Sequence, residues 1–281
     1  MKKLLVLLLT GMLFGQANNV FTINPSISSA GQGNTGIGDF NSDNLFHNPA
    51  FVVDNQSVDF SYVAWLPNLV DDLGYFNLQY TSGQWGVEVF HFDYGSQLEA
   101  NEGGVILGEF NSTSTRLGVS YGHELWNWNL GYRFNILNHN FYHTNGSSNG
   151  YTFDVGAYKT FNDTNVGLVL KNIGIQKEFE DDKVTLPTSL GLGVKQSFGN
   201  FHLLSDLTMY QDYLTYGLGG RYELGLASLK FGVYSEPDFD VNYFTFGGGL
   251  KTEFINIDIA YLFNNDSVHN QTLMLSFGFD L

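Results

Sequence analysis

The chain is expected to be all-β: a transmembrane antiparallel β-barrel of about fourteen strands, with a glycine-rich N-terminal segment folded into or against its lumen. Three observations lead there. From residue 57 to the end, apolar residues alternate with small or polar ones in run after run, the two-residue period of a half-buried strand. Only 14% of the 281 residues are charged, against roughly a quarter in a soluble domain, and Phe (25), Tyr (16) and Gly (33) are abundant instead. Beyond the first fourteen residues no stretch approaches the ~18 apolar residues of a membrane helix. Such a surface suits lipid bounded by aromatic girdles better than water on all sides.

The chain divides into three parts. Residues 1–17 read as a secretory signal peptide: Lys2 and Lys3 precede an apolar run from Leu4 to Phe14 that is too short to span a bilayer, with cleavage expected after Gly15 or Ala17. An exported chain without a membrane helix is either soluble outside the inner membrane or an outer-membrane barrel. Residues 18–56 are the glycine-rich hatch or plug, and residues 57–281 the barrel. There is no cysteine, so no disulfide framework, thiol site or lipid-modified cysteine. A formal net charge of −16 argues against a nucleic-acid partner, which needs clustered Lys and Arg.

Within residues 18–56, Gly31, Gly33, Gly36 and Gly38 fall within eight positions that show no apolar alternation. That composition permits frequent bends and close approach of backbone to other structure. Ser42-Asp43-Asn44-Leu45-Phe46 then leads into His47-Asn48-Pro49-Ala50. Asn-Pro initiates a turn, so the segment is expected to fold back sharply before the first strand. A disordered leader ending in a turn is the alternative.

The strands follow in order. Val58, Phe60 and Tyr62 alternate with Asp59 and Ser61, and Phe76, Leu78 and Tyr80 with Asn77 and Gln79. Trp85, Val87 and Val89 lead on through residues 92–95, and Leu117, Val119 and Tyr121 alternate with Gly118 and Ser120. Trp126, Trp128, Leu130, Tyr132 and Phe134 read as the most aromatic face, opposite Asn127, Asn129, Gly131 and Arg133. Further runs centre on Phe153 and Val155, on Val166 to Leu170 and on Leu190 to Val194; then come 201–209, 214–218, 229–233, 244–250, 255–263 and 275–281. Short turns are expected at Thr81-Ser82-Gly83, Asn162-Asp163, Gly199-Asn200 and Asn264-Asn265-Asp266, and longer loops at 95–104, 138–150 and 174–188. The face opposite the apolar one is mostly Gly, Ser, Asn and Thr, which suits a confined lumen; a soluble sandwich or propeller would carry more Lys and Glu there.

Candidate chemistry is sparse. Asp39-Phe40-Asn41-Ser42-Asp43 has the first three ligand positions of a calcium loop, but Asn44 replaces its glycine and Ala50 its bidentate Glu, so Asx-turn capping is the expected role and no metal is assigned. The seven histidines lack compact ligand spacing. His139 and His143 lie near Ser147 and Ser148 in an expected loop, a poor scaffold for a catalytic Ser–His pair. Glu178, Glu180, Asp181 and Asp182 form an acidic cluster, read as a solvated loop tip or a docking surface for a basic partner.

Several motifs together resemble the PorV/PorQ family of outer-membrane proteins of the type IX secretion system, itself similar to the FadL-type fourteen-stranded barrels. They are the glycine-rich opening with Asp39 and Asp43 followed by Phe46-His47-Asn48-Pro49-Ala50; Tyr94-Gly95, Gly108-Glu109-Phe110 and residues 117–121; and Lys171-Asn172-Ile173-Gly174 followed by Leu186-Pro187 and residues 189–195. The resemblance implies a non-enzymatic component, without cofactor, that receives secreted cargo proteins through their C-terminal signal domains for surface attachment or release. Its partners would be that cargo, other secretion or attachment components and outer-membrane lipid. The hatch motif (Gly31, Gly33, Gly36, Asn44, His47, Asn48, Pro49, Ala50) and the loop bearing Glu178, Glu180, Asp181 and Asp182 are the candidate contacts. The alternative is a FadL-like channel for uptake of hydrophobic small molecules, which shares the fold but needs an apolar pocket and a route through the wall.

Overall fold

A computed structural model describes residues 17–65, 72–100, 103–141, 146–176, 186–210, 213–239, 241–264 and 272–281. The leader before Ala17 and the acidic cluster at 178–182 lie outside the described residues. Fourteen strands follow one another: β1 (Asn55–Ala64), β2 (Gly74–Gly83), β3 (Trp85–Ala100), β4 (Ile106–Leu125), β5 (Trp128–Phe141), β6 (Gly146–Phe161) and β7 (Thr164–Gln176). Then come β8 (Ser189–Phe198), β9 (Phe201–Tyr210), β10 (Leu214–Leu224), β11 (Ala227–Glu236), β12 (Val241–Lys251), β13 (Ile255–Phe263) and β14 (Thr272–Asp280). Each pairs antiparallel with its sequence neighbours, and β1 pairs with β14, which closes the barrel and leaves it no open edge around the girth.

Alternation places Phe60, Tyr62, Leu78, Val87, Val119, Phe134, Leu192, Phe246 and Phe277 outward as an exposed apolar band. Their neighbours Ser57, Asp59, Gln79, Glu88, Arg116, Arg133, Asp154 and Asp206 are buried inside. An apolar exterior over a polar interior is the inversion expected of a barrel that spans a membrane. Two-residue turns at Trp126-Asn127, Asn162-Asp163, Gly199-Asn200 and Gly225-Leu226 lie at one end with Leu281, and the long connections 65–73, 177–188 and 264–271 at the other. By that asymmetry the first is the inner end and the second the outer end.

Three expectations need correction. Trp126 is not a strand residue: Trp126 and Asn127 both take positive φ (52° and 59°) and form a tight hairpin turn, so the aromatic face begins at Trp128. Residues 95–104 are not mainly a loop, since β3 runs to Ala100 and Gly95 (φ 73°) sits at a register shift between Asp93 and Ser96, where a lone glycine makes a bulge rather than ending the strand. Residues 138–150 are largely strand, with β5 reaching Phe141 and β6 starting at Gly146. Of the turn expected at Asn264-Asn265-Asp266, Asn265 and Asp266 lie outside the described residues. In consequence β3 to β7 have 13 to 20 residues and the remaining strands 9 to 11, so one side of the wall rises higher at the outer end.

Candidate functional site

Residues 17–53 lie inside the barrel, and side-chain caps explain how a segment without periodicity folds compactly. Ser26 caps a single turn, α1 (Ile27–Ala30), its Oγ accepting from Ser29 N. Asn41 caps the 3₁₀ turn Ser42–Phe46. Asn48 caps the 3₁₀ turn Pro49–Val52, its Oδ1 accepting from Ala50 N at 3.0 Å, with Pro49 entering the turn where no N–H is needed. The Asn48 amide also donates to Ile37 O and to Ala157 O of β6, both at 3.1 Å, tying the turn to the wall.

The wall is shaped to receive this backbone. Gly131 faces Pro49 and Ala50, Gly156 faces Asn48, Gly167 faces Ile37, Gly193 faces Gly38, and Gly217 and Gly232 face Gly33; a Cβ at any of these would overlap the segment. Gly33 itself has φ 73° and approaches the carbonyls of Leu218 and Val233, so both its conformation and its space require glycine. Gly31 meets Gly247, and the imidazole of His47 lies over Gly36.

Charge fixes the register. Asp39, 1% exposed, is gripped by Lys195 Nζ (2.8 Å) and Arg221 (2.6 and 3.3 Å), with Gln32 Nε2 donating at 2.9 Å. Burial alone would raise its pKa, but Arg221 and Lys195 outweigh it and hold the carboxyl well below the usual carboxylate range. The Asp39-x-Asn41-x-Asp43 run therefore spends its carboxylates on the wall and on α1: Asp43 Oδ2 accepts from Ser26 Oγ (2.8 Å) and Ser28 N (3.1 Å). Burial, with Asp258 and Asp59 nearby, pushes the Asp43 pKa up to about 7. In the other direction, Asp206 of β9 accepts from Gly36 N and Ile37 N at 2.7 and 2.8 Å. Lys230 of β11 donates to Ser28 Oγ at 2.6 Å and pairs with Asp258.

His47 sits at the centre of the segment's own polar contacts. Its Nε2 is 2.8 Å from Ser29 Oγ and 3.0 Å from Asn24 Oδ1. Asn24 Oδ1 also accepts from Ser26 N, so it is an acceptor, and His47 Nε2 must carry the proton. Burial, then Lys171, pushes the His47 pKa down to about 3, so the ring is neutral. Asn44 bridges the two halves of the segment: Nδ2 donates to Asp39 O (2.8 Å) and Oδ1 lies 2.6 Å from Ser26 Oγ, sharing its one proton with Asp43.

In the outer half the lumen changes character. Val63, Tyr75, Phe90, Phe92, Tyr94 and Leu137 point inward and form an apolar chamber. Tyr75 lies 5.2 Å from Phe90 and stacks on Phe92 at 6.2 Å, and Phe92 meets Tyr94 edge-on at 4.9 Å. Val20 and Phe21 of the N-terminal segment fill the chamber, with Phe21 at 4.6 Å from the His139 ring. Its floor is an ion cluster: Glu88 pairs with Arg116 (2.7 Å) and Arg133 (2.5 Å), and Arg116 donates to Phe21 O at 2.6 Å while covering the Phe46 and Phe90 rings. His139 is a buried strand residue rather than a loop residue; its Nδ1 bonds Ser114 Oγ and it lies opposite Ser148 in the β5–β6 register.

Two cavities adjoin the segment. A cavity of about 60 Å³ separates it from β7–β11, lined in part by His47, Lys171, Asp206, Tyr210 and Tyr234. One of about 470 Å³ opens at the inner mouth beside Phe40, Ser42, Asp54, Lys251 and Asp280.

Comparison with known proteins adds to this geometry. No known family's sequence profile matches the chain, and no curated protein matches it in sequence. Solved structures do. The fold is that of the FadL-type barrels. A Pseudomonas aeruginosa FadL homologue superimposes with a TM-score of 0.59 at 11% identity, covering 91% of this chain and 98% of its own. The P. putida toluene transporter TodX gives 0.59 at 12%, covering 91% and 98%. The CymD monoaromatic hydrocarbon channel gives 0.62 at 13%, covering 92% and 96%.

The hatch-motif residues Gly31, Gly33, Gly36, Asn44, His47, Asn48, Pro49 and Ala50 thus come together in the lumen. Sequence reasoning missed the residues that receive them. Asp206, Arg221 and Lys195 lie in strands, among unremarkable alternations, and only their inward parity distinguishes them. The aromatic chamber had a usable signal: Phe90, Phe92 and Tyr94 are even-numbered, whereas the outward residues Trp85, Val87 and Val89 are odd. Apolar residues changing parity within one strand mark an apolar patch inside the barrel.

Proposed function

We propose that this protein is an outer-membrane channel for small hydrophobic molecules, with residues 17–53 as its hatch. The observation that carries the reading is the chamber of Val63, Tyr75, Phe90, Phe92, Tyr94 and Leu137, a cluster of aromatic and aliphatic side chains facing the lumen and filled by Val20 and Phe21. A planar hydrophobe the size of a Phe ring would take the place of Phe21, stacking on Tyr75 and Phe92. The toluene transporter and monoaromatic hydrocarbon channel whose fold it shares agree in substrate class. The route through the wall would lie beside Tyr94, where the β3–β4 register shifts.

A second reading is a component of type IX secretion that receives cargo at the cell surface. The small residual cavity beside the segment, about 60 Å³, favours it, because a barrel that docks proteins has no need of a through-route. The Asn48-Pro49-Ala50 motif and its surroundings are the resemblance behind it.

A deletion strain separates the two. Loss of toluene uptake, restored by the wild-type gene, is the expected result; unchanged uptake together with loss of secreted proteins from the surface overturns the channel reading in favour of the second.

A further inference from the structure

Among the described residues, one cation stands on the outward face of the barrel. Arg116, Arg133 and Lys230 are buried in the lumen, Lys171 packs there on the Phe46 ring, Lys195 and Arg221 grip Asp39, and Lys251 pairs with Asp280 at the inner mouth. Lys159 is turned the other way. In β6, Tyr151 and Phe153 are exposed outside while Thr152, Asp154 and Tyr158 are buried inside, and strand alternation sets Lys159 with the first pair.

Its depth follows from the strand. Phe161 ends β6, so Lys159 lies ~7 Å from the inner end of the wall. Exposed rings mark this level: Trp85, Trp126, Phe161 and Phe198 each stand at or beside an inner turn. Such a girdle sits among lipid headgroups, where an outward cation costs far less than at the bilayer midplane.

The surroundings hold the ammonium without neutralising it. Trp128, first in β5, and Phe161 meet edge to face with ring centroids 6.0 Å apart and planes at 79°, forming a corner with two walls. Lys159 Nζ lies over both faces, 5.5 Å from the Trp128 centroid and 5.2 Å from that of Phe161, within reach of a cation–π attraction. Along the strand its outward neighbours are Ala157 and Phe161, and Val166 lies opposite on β7, so the patch is uncharged. An ammonium has three N–H donors, and no carboxylate, carbonyl or hydroxyl of the described residues accepts from this one.

At this depth the acceptors are phosphate oxygens. A zwitterionic headgroup brings an ammonium of its own to compete for them, whereas an anionic phospholipid leaves its phosphate to Lys159. A soluble protein would have to displace the lipid around the girdle to reach the same corner.

We propose that Lys159, Trp128 and Phe161 form a site for one anionic phospholipid of the inner leaflet. The ammonium donates to the phosphate, and the ring corner packs against the glycerol and the first methylenes of the chains. This depends on the barrel lying in a membrane with this end inward and not on what the lumen carries.

The test titrates the purified barrel in detergent with dioleoylphosphatidylglycerol, and separately with dioleoylphosphatidylcholine, and counts bound lipid by native mass spectrometry. The wild type should bind the first phosphatidylglycerol about fivefold more tightly than the first phosphatidylcholine, the preference that one lysine gives near a membrane surface. Lys159→Gln should abolish that preference and Lys159→Arg should keep it. Equal affinity for the two lipids in the wild type overturns the proposal, and that comparison needs no variant to fold. A preference that survives Lys159→Gln in a barrel of unchanged heat-modifiable gel mobility overturns it as well. So does displacement of phosphatidylglycerol by an equal concentration of inorganic phosphate, which would show a site for the ion alone.

Discussion

Replacing Asp39 with alanine should release residues 17–53 from the lumen without opening the barrel. The carboxylate is 1% exposed, while the side chains of Lys195 and Arg221 that grip it are each 12% exposed, so its loss strands two cations in a confined space. Removing one partner from a buried ion cluster costs about 3–5 kcal/mol. The segment holds no strand of the barrel, so that cost falls on its seating rather than on the sheet. At roughly 1.4 kcal/mol per factor of ten, the withdrawn population rises between about a hundredfold and a few thousandfold. The chain lacks cysteine, so a thiol at a buried site of the segment is a unique reporter. Ala30→Cys, at a position 3% exposed, should react with a soluble maleimide at least a hundred times faster when combined with Asp39→Ala. Adding Lys195→Met and Arg221→Met to that double variant should recover much of the protection, because neither cation is then left without Asp39; Glu223, which Arg221 also meets, is half exposed to water. An unchanged labelling rate would refute the reasoning. Loss of the folded barrel itself would also refute it, by showing that the segment is not a separable unit.

Other consequences follow from the same seat. Gly217→Val puts a side chain where the Gly33 carbonyl lies; it should expose the Ala30→Cys thiol while the barrel keeps its heat-modifiable gel mobility. Asp206→Asn weakens two backbone hydrogen bonds to a buried carboxylate, worth about 1.5–3 kcal/mol each at most, and should expose the thiol less than Asp39→Ala does. His47 is neutral when seated, its pKa pushed from 6.5 down to about 3. A withdrawn segment takes up a proton on this ring below pH 6.5 that the seated one refuses, so the contribution of His47 to seating is full above pH 6.5 and weakens as pH falls towards 3, opposite in sign to that of Asp43. The wild type should therefore lose more thermal stability between pH 7 and pH 4.5 than His47→Gln; equal losses would contradict the assignment.

The barrel was legible because two-residue alternation survives wherever one face meets lipid and the other a polar lumen, as in Phe60, Tyr62 and Leu78 against Asp59 and Gln79. Its boundaries were less legible at glycine and asparagine, which serve turns and strands alike. Gly95 bulges inside β3 rather than ending it, and the asparagines at 138, 140 and 149 pair across β5 and β6 as a polar belt that resembles loop composition. Trp126 misled in the opposite sense, since its aromatic character continues the face of β5 while its backbone makes the turn. The N-terminal motif was visible as glycine spacing and Asn-Pro, but its seat was not. The partners of Asp39 lie 156 and 182 residues away in sequence, and nothing local in Lys195 or Arg221 announces a shared anion. The chamber needed a question that alternation by itself does not raise: which way the apolar residues point when their parity changes.

On the channel reading, the aromatic chamber accepts a small hydrophobe in the place now held by Phe21. Calorimetric titration of the purified barrel with toluene tests it most directly, in the wild type and in Phe21→Ala. Saturable binding at one site per barrel is expected, tighter in Phe21→Ala because the ligand no longer displaces a buried ring that costs about 3–5 kcal/mol to remove. Absence of saturable binding in both proteins, with the barrel folded, would contradict it.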